Sequence, residues 1–159
     1  MTAVKKINLI LLIGFVFVTF LFAEENFPFL AVVVIEGANV RTDSTINSET
    51  IIKLDKDESV VVRGSFYEWY RITLPKSASC YVFSKYISAL DEKTGVVNSE
   101  NVNIRLRPDT KSPILGKLKK GQTVNIIKFV DNWYIIEPTE ETYGWIHKTA
   151  VRKKAELKR

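Results

Sequence analysis

The sequence predicts an all-β protein: two small five-stranded barrels in tandem, preceded by an N-terminal helix that is an export signal or a membrane anchor. Three observations carry this. The chain matches itself when slid by 64 residues. Each copy is made of short runs rich in β-branched and aromatic residues. An uncharged, largely apolar run of 17 residues, 7–23, precedes both copies.

The repeat is gapless. "ANVRTDSTINSETIIKLDKDESV" lies over "VNIRLRPDTKSPILGKLKKGQTV", "EWYRI" over "NWYII", and "SCYVFSKYI" over "YGWIHKTAV". Identities include Asn39/Asn103, Arg41/Arg105, Leu54/Leu118, Val60/Val124, Trp69/Trp133 and Tyr70/Tyr134. A long period repeated only twice reads as two tandem domains and not as a solenoid. The units run over residues 31–87 and 95–151, with a connector at 88–94 and a basic tail at 152–159.

Within each unit the elements read as strands. "AVVVI", "ESVVVRG" and "WYRITL" in the first unit, and "GVV", "QTVNIIKF" and "WYIIEP" in the second, have strand composition. Breaker clusters separate them, and no window carries a helical apolar stripe over three turns. Short strands in a unit this small close into a barrel. "LKKG" ends in Gly121, where a turn needs positive φ. Its counterpart in the first unit, Asp57, is one of the few other residues that tolerate that conformation.

The N-terminal segment is organised as an export signal. Lys5 and Lys6 precede the apolar run, and a polar boundary, "EENFP", follows it. The preferred cut lies after Ala23. Left uncut, the run is long enough to hold the chain in a bilayer. Either way the remainder belongs outside the cytoplasmic membrane. The formal charge is +5, and losing Lys5 and Lys6 leaves +3. Five cations and one anion occupy the last eight residues, "RKKAELKR". This tail reads as a solvated end or as a contact for a polyanion. No basic helix or basic-aromatic interleaving points to nucleic acid. Cys80 is the only cysteine, so no intramolecular disulfide forms and the core alone holds the fold.

The ordered words "VNIRLRPDTKSPILGKLKKGQTVNII", "NWYII" and "YGWIHKTAV" closely resemble a bacterial SH3-like domain, and the first unit resembles it more loosely. The resemblance implies a five-stranded SH3-like barrel in an exported, often envelope-associated protein. It also implies that members attach a partner to peptidoglycan or recognise another protein, with the Trp of the Trp-Tyr pair in the ligand groove. Cys80 and Tyr81 stand where the second unit has Gly144 and Trp145, a departure that bears on how the first barrel packs.

Strand alternation places Tyr70 and Ile72 toward the core and Trp69, Arg71 and Thr73 on the opposite face; Tyr134 and Ile136 face inward, Trp133 and Ile135 outward. In "YGWIHK", Ile146 faces inward and Trp145 outward. An outward Trp either folds over the barrel rim or offers a flat apolar face and one N–H donor to a ligand. The candidate ligand-binding residues are Trp133, Trp145, Arg107, Trp69 and Tyr86. Phe83 and Tyr86 would extend a groove on the first unit; their counterparts His147 and Ala150 would make the second groove chemically different. Arg107 has Asp43 as its counterpart, so an anion-seeking role belongs to the second unit. Asn39, Arg41, Asn103 and Arg105 precede the long loop of each unit and are expected to tie it down by side-chain hydrogen bonds.

No catalytic constellation is present in the sequence. His147 is the lone histidine, no Cys-x-x-Cys occurs, and Cys80 and His147 stand at non-equivalent positions. Glu140 and Glu141 read as a solvated turn. No cofactor is expected. The expectation is an extracytoplasmic, non-catalytic protein that binds cell-wall glycan-peptide or an envelope protein partner, with membrane attachment through residues 7–23 as the alternative to a free form.

Overall fold

The structure, a computed structural model, describes residues 25–154. The helix expected over residues 1–23 lies outside the described residues. Among those described, no helix is long and apolar enough to cross a membrane.

The first repeat supplies β1 (Phe29–Val33), β2 (Ala38–Arg41), β3 (Thr50–Leu54), β4 (Ser59–Phe66), β5 (Trp69–Thr73), β6 (Cys80–Phe83) and β7 (Ile87–Ala89). The second supplies β8 (Thr94–Val97), β9 (Val102–Arg105), β10 (Ile114–Leu118), β11 (Thr123–Val130), β12 (Trp133–Ile136), β13 (Tyr143–His147) and β14 (Val151–Lys153). A 3-10 turn precedes β7 at Ser84–Tyr86 and another precedes β14 at Lys148–Ala150. The fold is all-β, as the strand composition predicts, and the strands form two seven-membered sheets.

The sheets do not follow the repeat. One has the order β14-β1-β4-β5-β13-β2-β3, the other β10-β9-β6-β12-β11-β8-β7. β6, from the first repeat, lies between β9 and β12 of the second; β13, from the second, lies between β2 and β5 of the first. The exchange is symmetric. Ile72 faces Gly144 and Ile136 faces Cys80. Arg41 faces Trp145 and Arg105 faces Tyr81. Ala31 faces Lys153 and Gly95 faces Ala89. In each of these pairings the second follows from the first by the same 64-residue shift.

The contiguous division into 31–87 and 95–151 is therefore not the division of the sheets. One barrel-like sheet comprises residues 29–73 with 143–153. The other is the continuous stretch 80–136, inserted into the first. The chain crosses between them twice, at residues 74–79 and 137–142. The two crossings run beside each other: Leu74 N–H donates to the Thr142 carbonyl at 3.0 Å, and Lys76 Nζ lies 3.8 Å from Glu137 Oε2. Each crossing replaces a hairpin turn that would have returned the chain to its own sheet, which is the general route to swapped elements.

Side-chain size gives the exchange a direction. A Cβ on Gly144 would sit 2.4 Å from Val40 Cγ1, 2.9 Å from Leu74 Cδ2 and 3.2 Å from Ile51 Cδ1. Val40 is fully buried and Leu74 nearly so. Cys80, returned to its own repeat, would put its Cβ and Sγ into that space. In the other sheet the counterparts of Val40, Leu74 and Ile51 are Ile104, Pro138 and Leu115, and Cys80 is fully buried there without an orphaned polar group. Gly116 plays a related part in the second sheet. A Cβ there would meet the Glu141 carbonyl oxygen at 2.1 Å, so its lack of a side chain lets the second crossing pass over β10.

The core repeats with the chain. Val33, Val40, Leu54, Val62, Ile72 and Ile146 are buried in one sheet; Val97, Ile104, Leu118, Ile126, Ile136 and Val82 are their counterparts in the other. These side chains form one continuous apolar cluster through both sheets. The turns into β4 and β11 have the expected left-handed residues, Asp57 at φ 72° and Gly121 at φ 84°.

Gly144→Cys should destabilise the protein by about 1–3 kcal/mol, the usual cost of overpacking a core. Cys80→Ala should cost about 1 kcal/mol. Urea midpoints of the two variants measure this, and an unshifted midpoint for Gly144→Cys would remove the steric reason for the exchange.

Candidate functional site

Each sheet carries a groove beside its Trp, and the two grooves occupy equivalent positions. The larger, of about 280 Å³, is floored by Trp133, Phe83 and Tyr86, with Glu100, Asn103, Arg105 and Thr110 around it. The smaller, of about 180 Å³, has Trp69, His147 and Ala150 with Asn39, Arg41, Ile35 and Ile46. Both draw on both repeats. Trp133 is the direct cross-strand partner of Phe83, and Trp69 of His147.

Phe83 and Tyr86 thus extend the groove of the second repeat's Trp, and not that of their own, as their place in the sequence suggests. Aromatic surface is concentrated in one groove as a result. The Phe83 ring lies 5.3 Å from Trp133 and 6.2 Å from Tyr86, both at steep interplanar angles. Such geometry matches the edge-to-face preference of aromatic quadrupoles. Lys85 Nζ stands 5.3 Å above the Tyr86 ring. In the other groove Trp69 meets His147 at 5.2 Å and edge-on. His147 Nδ1 lies 2.7 Å from the Thr149 hydroxyl.

The Trp side chains are covered by the barrel and also line the grooves. They point away from the innermost core, yet Trp69 is only 8 % exposed and Trp133 only 7 %. On the same strand pairs, a register shift lies between Val62 and Gly64 in β4, opposite Arg71 and Ile72, and between Ile126 and Lys128 in β11, opposite Ile135 and Ile136. Each indole lies mostly covered and shows its remaining surface to the groove. Tyr70 and Tyr134 are half-buried against the core. Burial, reinforced by a hydrogen bond from its hydroxyl to the Glu25 carboxylate, pushes the Tyr70 phenol up to about 12.

The long loops are tied down by arginine. Arg41 Nη1 donates to the Ser48 carbonyl at 2.7 Å, and Arg105 Nη1 to the Ser112 carbonyl at 2.7 Å. Asn39 and Asn103 instead line the grooves. Arg107 does not line the larger groove. It forms an ion pair with Glu49, joining the long loop of one repeat to that of the other. The hydrogen bond from Arg107 holds the Glu49 carboxyl below the ordinary carboxylate range. Trp145 also lies outside both linings, between Arg41 and Arg71 on the neighbouring strands. Glu141 accepts from Gln122 at 2.9 Å in the second crossing.

The geometry brings together Trp133 and Tyr86 and leaves Trp145 and Arg107 elsewhere. Phe83 and His147, as direct partners of the two Trp residues, are the positions that sequence spacing placed on the wrong Trp.

Residues 100–152 match the bacterial SH3 domain. The matched stretch runs through β9 to β12 of one sheet and on into β13 and β14 of the other. The linear pattern of this bacterial SH3 domain is therefore spread across both sheets. Domains of this kind are typically binding modules and are often cell-wall related. No curated protein matches the chain.

Cys80 is fully buried, and that burial pushes its thiol up to about 12. It should resist a thiol reagent at pH 8 in the folded protein and react fully in denaturant, because the thiolate is the nucleophile. Rapid labelling of the folded chain would contradict the placement of β6 between β9 and β12.

Proposed function

We propose that the protein is an exported, non-catalytic binding protein that recognises a cell-envelope ligand, peptidoglycan foremost, through the groove of Trp133, Phe83 and Tyr86. The observation that carries this reading is the concentration of three aromatic rings in one groove with amide, carboxylate and hydroxyl groups at its edge. Apolar faces with a few placed polar groups are what a sugar-peptide polymer needs, since its C–H faces stack and its hydroxyls and amides pair. The match of residues 100–152 to a domain that is often cell-wall related supports the ligand class. The smaller groove, with His147 and Ala150 in place of Phe83 and Tyr86, is the weaker site.

A specific feature favours an envelope protein as a second partner class. The β4–β5 hairpin tip exposes Phe66 (54 %) and Tyr67 (79 %), rings 4.7 Å apart. The counterpart tip carries Val130 and Asp131. Exposed aromatic pairs are frequent anchors of protein contacts.

Retention on purified insoluble peptidoglycan tests the reading. Tyr86→Ala and Phe83→Ala should each weaken binding about tenfold, corresponding to about 1.4 kcal/mol. His147→Ala should change it little. Equal retention of all three with the wild type would dismiss the groove. Loss only in a Phe66→Ser/Tyr67→Ser variant, with a defined protein co-purifying, would favour the second class.

A further inference from the structure

The pairing of β1 with β14 brings the two ends of the described chain together. Ala31 faces Lys153, Val32 faces Arg152, and the Lys154 N–H donates to the Leu30 carbonyl at 2.8 Å. β14 is an edge strand. Because β14 belongs to the second repeat, it is the exchange that carries the C-terminal cations to the N-terminal strand.

The surface formed there is amphipathic in a particular way. Phe27 and Phe29 stack at 5.5 Å, and Phe29 meets Tyr70 edge-on at 5.5 Å. Lys153 Nζ stands 4.8 Å above the Phe29 ring and Lys148 Nζ 5.1 Å above Tyr70. Phe27 and Leu30 are exposed, as are Arg152, Lys153 and Lys154. Among the described residues Glu25 lies in this cluster, its carboxylate accepting the Tyr70 hydroxyl, and Glu68 lies beside it, its carbonyl accepting the Lys148 N–H. Aromatic rings beside flexible cations are the chemistry of the bilayer headgroup layer, where rings seat at the interface and Lys and Arg reach anionic lipid.

Chain length points to the same occupant. The uncharged run ends at Ala23, and Phe27 follows four residues later. Four residues span at most about 14 Å. A run held in a bilayer would therefore keep Phe27 within reach of the headgroups on that side. Beyond the described cations the sequence adds Lys158 and Arg159 against one anion, Glu156.

We propose that the β14 edge of the first sheet, with Lys148 and Lys153 beside the Phe27 and Phe29 rings on one face and Arg152 and Lys154 beside Leu30 on the other, is a docking surface for an anionic lipid bilayer met edge-on. It is separate from the groove of Trp133 and does not rest on the identity of that groove's ligand. The barrels would be held by this edge while the grooves serve the envelope ligand.

Vesicle co-sedimentation tests this with the fragment 24–159, which contains every strand of both sheets. The probes are phosphatidylcholine vesicles with and without about one-third phosphatidylglycerol. Binding should require phosphatidylglycerol and fall steeply between 0.05 and 0.5 M salt, roughly as screening of surface charge dictates. Arg152→Gln/Lys153→Gln/Lys154→Gln should weaken it roughly a hundredfold, by loss of three cations at a charged surface. Phe27→Ser/Leu30→Ser should weaken it roughly tenfold through lost apolar contact. A variant removing three exposed cations of the other sheet, Lys117→Gln/Lys119→Gln/Lys120→Gln, should bind as the wild type does. Unfolding midpoints confirm that each variant is folded. Equal losses for the two triple variants would reduce the effect to general basicity and overturn the proposal. So would equal binding to both vesicle types, or binding to neither.

Discussion

The packing of Gly144 against Val40, Leu74 and Ile51 is the contact on which the rest of the structure depends. A side chain there would push those three side-chain ends aside, and the chain has a glycine at this place in the second repeat and a cysteine in the first. β13 therefore completes the first sheet, and β6 completes the second. From this one sorting step follow the two crossings, the insertion of residues 80–136 into the other barrel, and the meeting of β1 with β14. The two barrels are joined by two crossings and by a continuous core.

The exchange also decides the chemistry of the grooves. Had each repeat kept its own arm, Trp69 would face Phe83 and Trp133 would face His147. Exchange moves Phe83 and Tyr86 to Trp133 and leaves the smaller groove with Trp69 against His147. The ion pair between Arg107 and Glu49 then connects the long loops of the two repeats across the molecule. Both side chains are about half exposed, so the pair adds orientation more than stability. A chain written twice thus carries two unequal grooves.

Much of this was legible in the sequence. The gapless repeat located the strands, the alternation of Ile72 and Ile136 gave the core face, and Asp57 and Gly121 marked the turns. Pairing partners were not legible, for a physical reason. "SCYVF" and "YGWIH" have the same length, the same alternation and the same register against a Trp-Tyr strand, so either arm satisfies the backbone of either sheet. The arms differ in side-chain size, most sharply at Cys80 against Gly144, and a size difference does not show in periodicity. The Trp residues were half legible. Alternation pointed them outward, and their burial, on the strand pairs that also carry the register shifts of β4 and β11, is announced by no local pattern. Arg107 read as an anion-seeking ligand contact because its partner, Glu49, lies 58 residues away in the other repeat.

Cross-linking measures the exchange most directly. Tyr81 stands opposite Ile135 in the exchanged fold; in barrels closed on their own repeats it would stand opposite Arg71, the residue 64 positions earlier. Directly opposed strand residues have Cα atoms about 4.5–5.5 Å apart, within disulfide range. In a Cys80→Ala background, Tyr81→Cys/Ile135→Cys should close an intramolecular disulfide in the folded monomer, while Tyr81→Cys/Arg71→Cys should keep two free thiols. Closure of the 71–81 pair, with the 81–135 pair remaining reduced, would contradict the exchange and everything built on it.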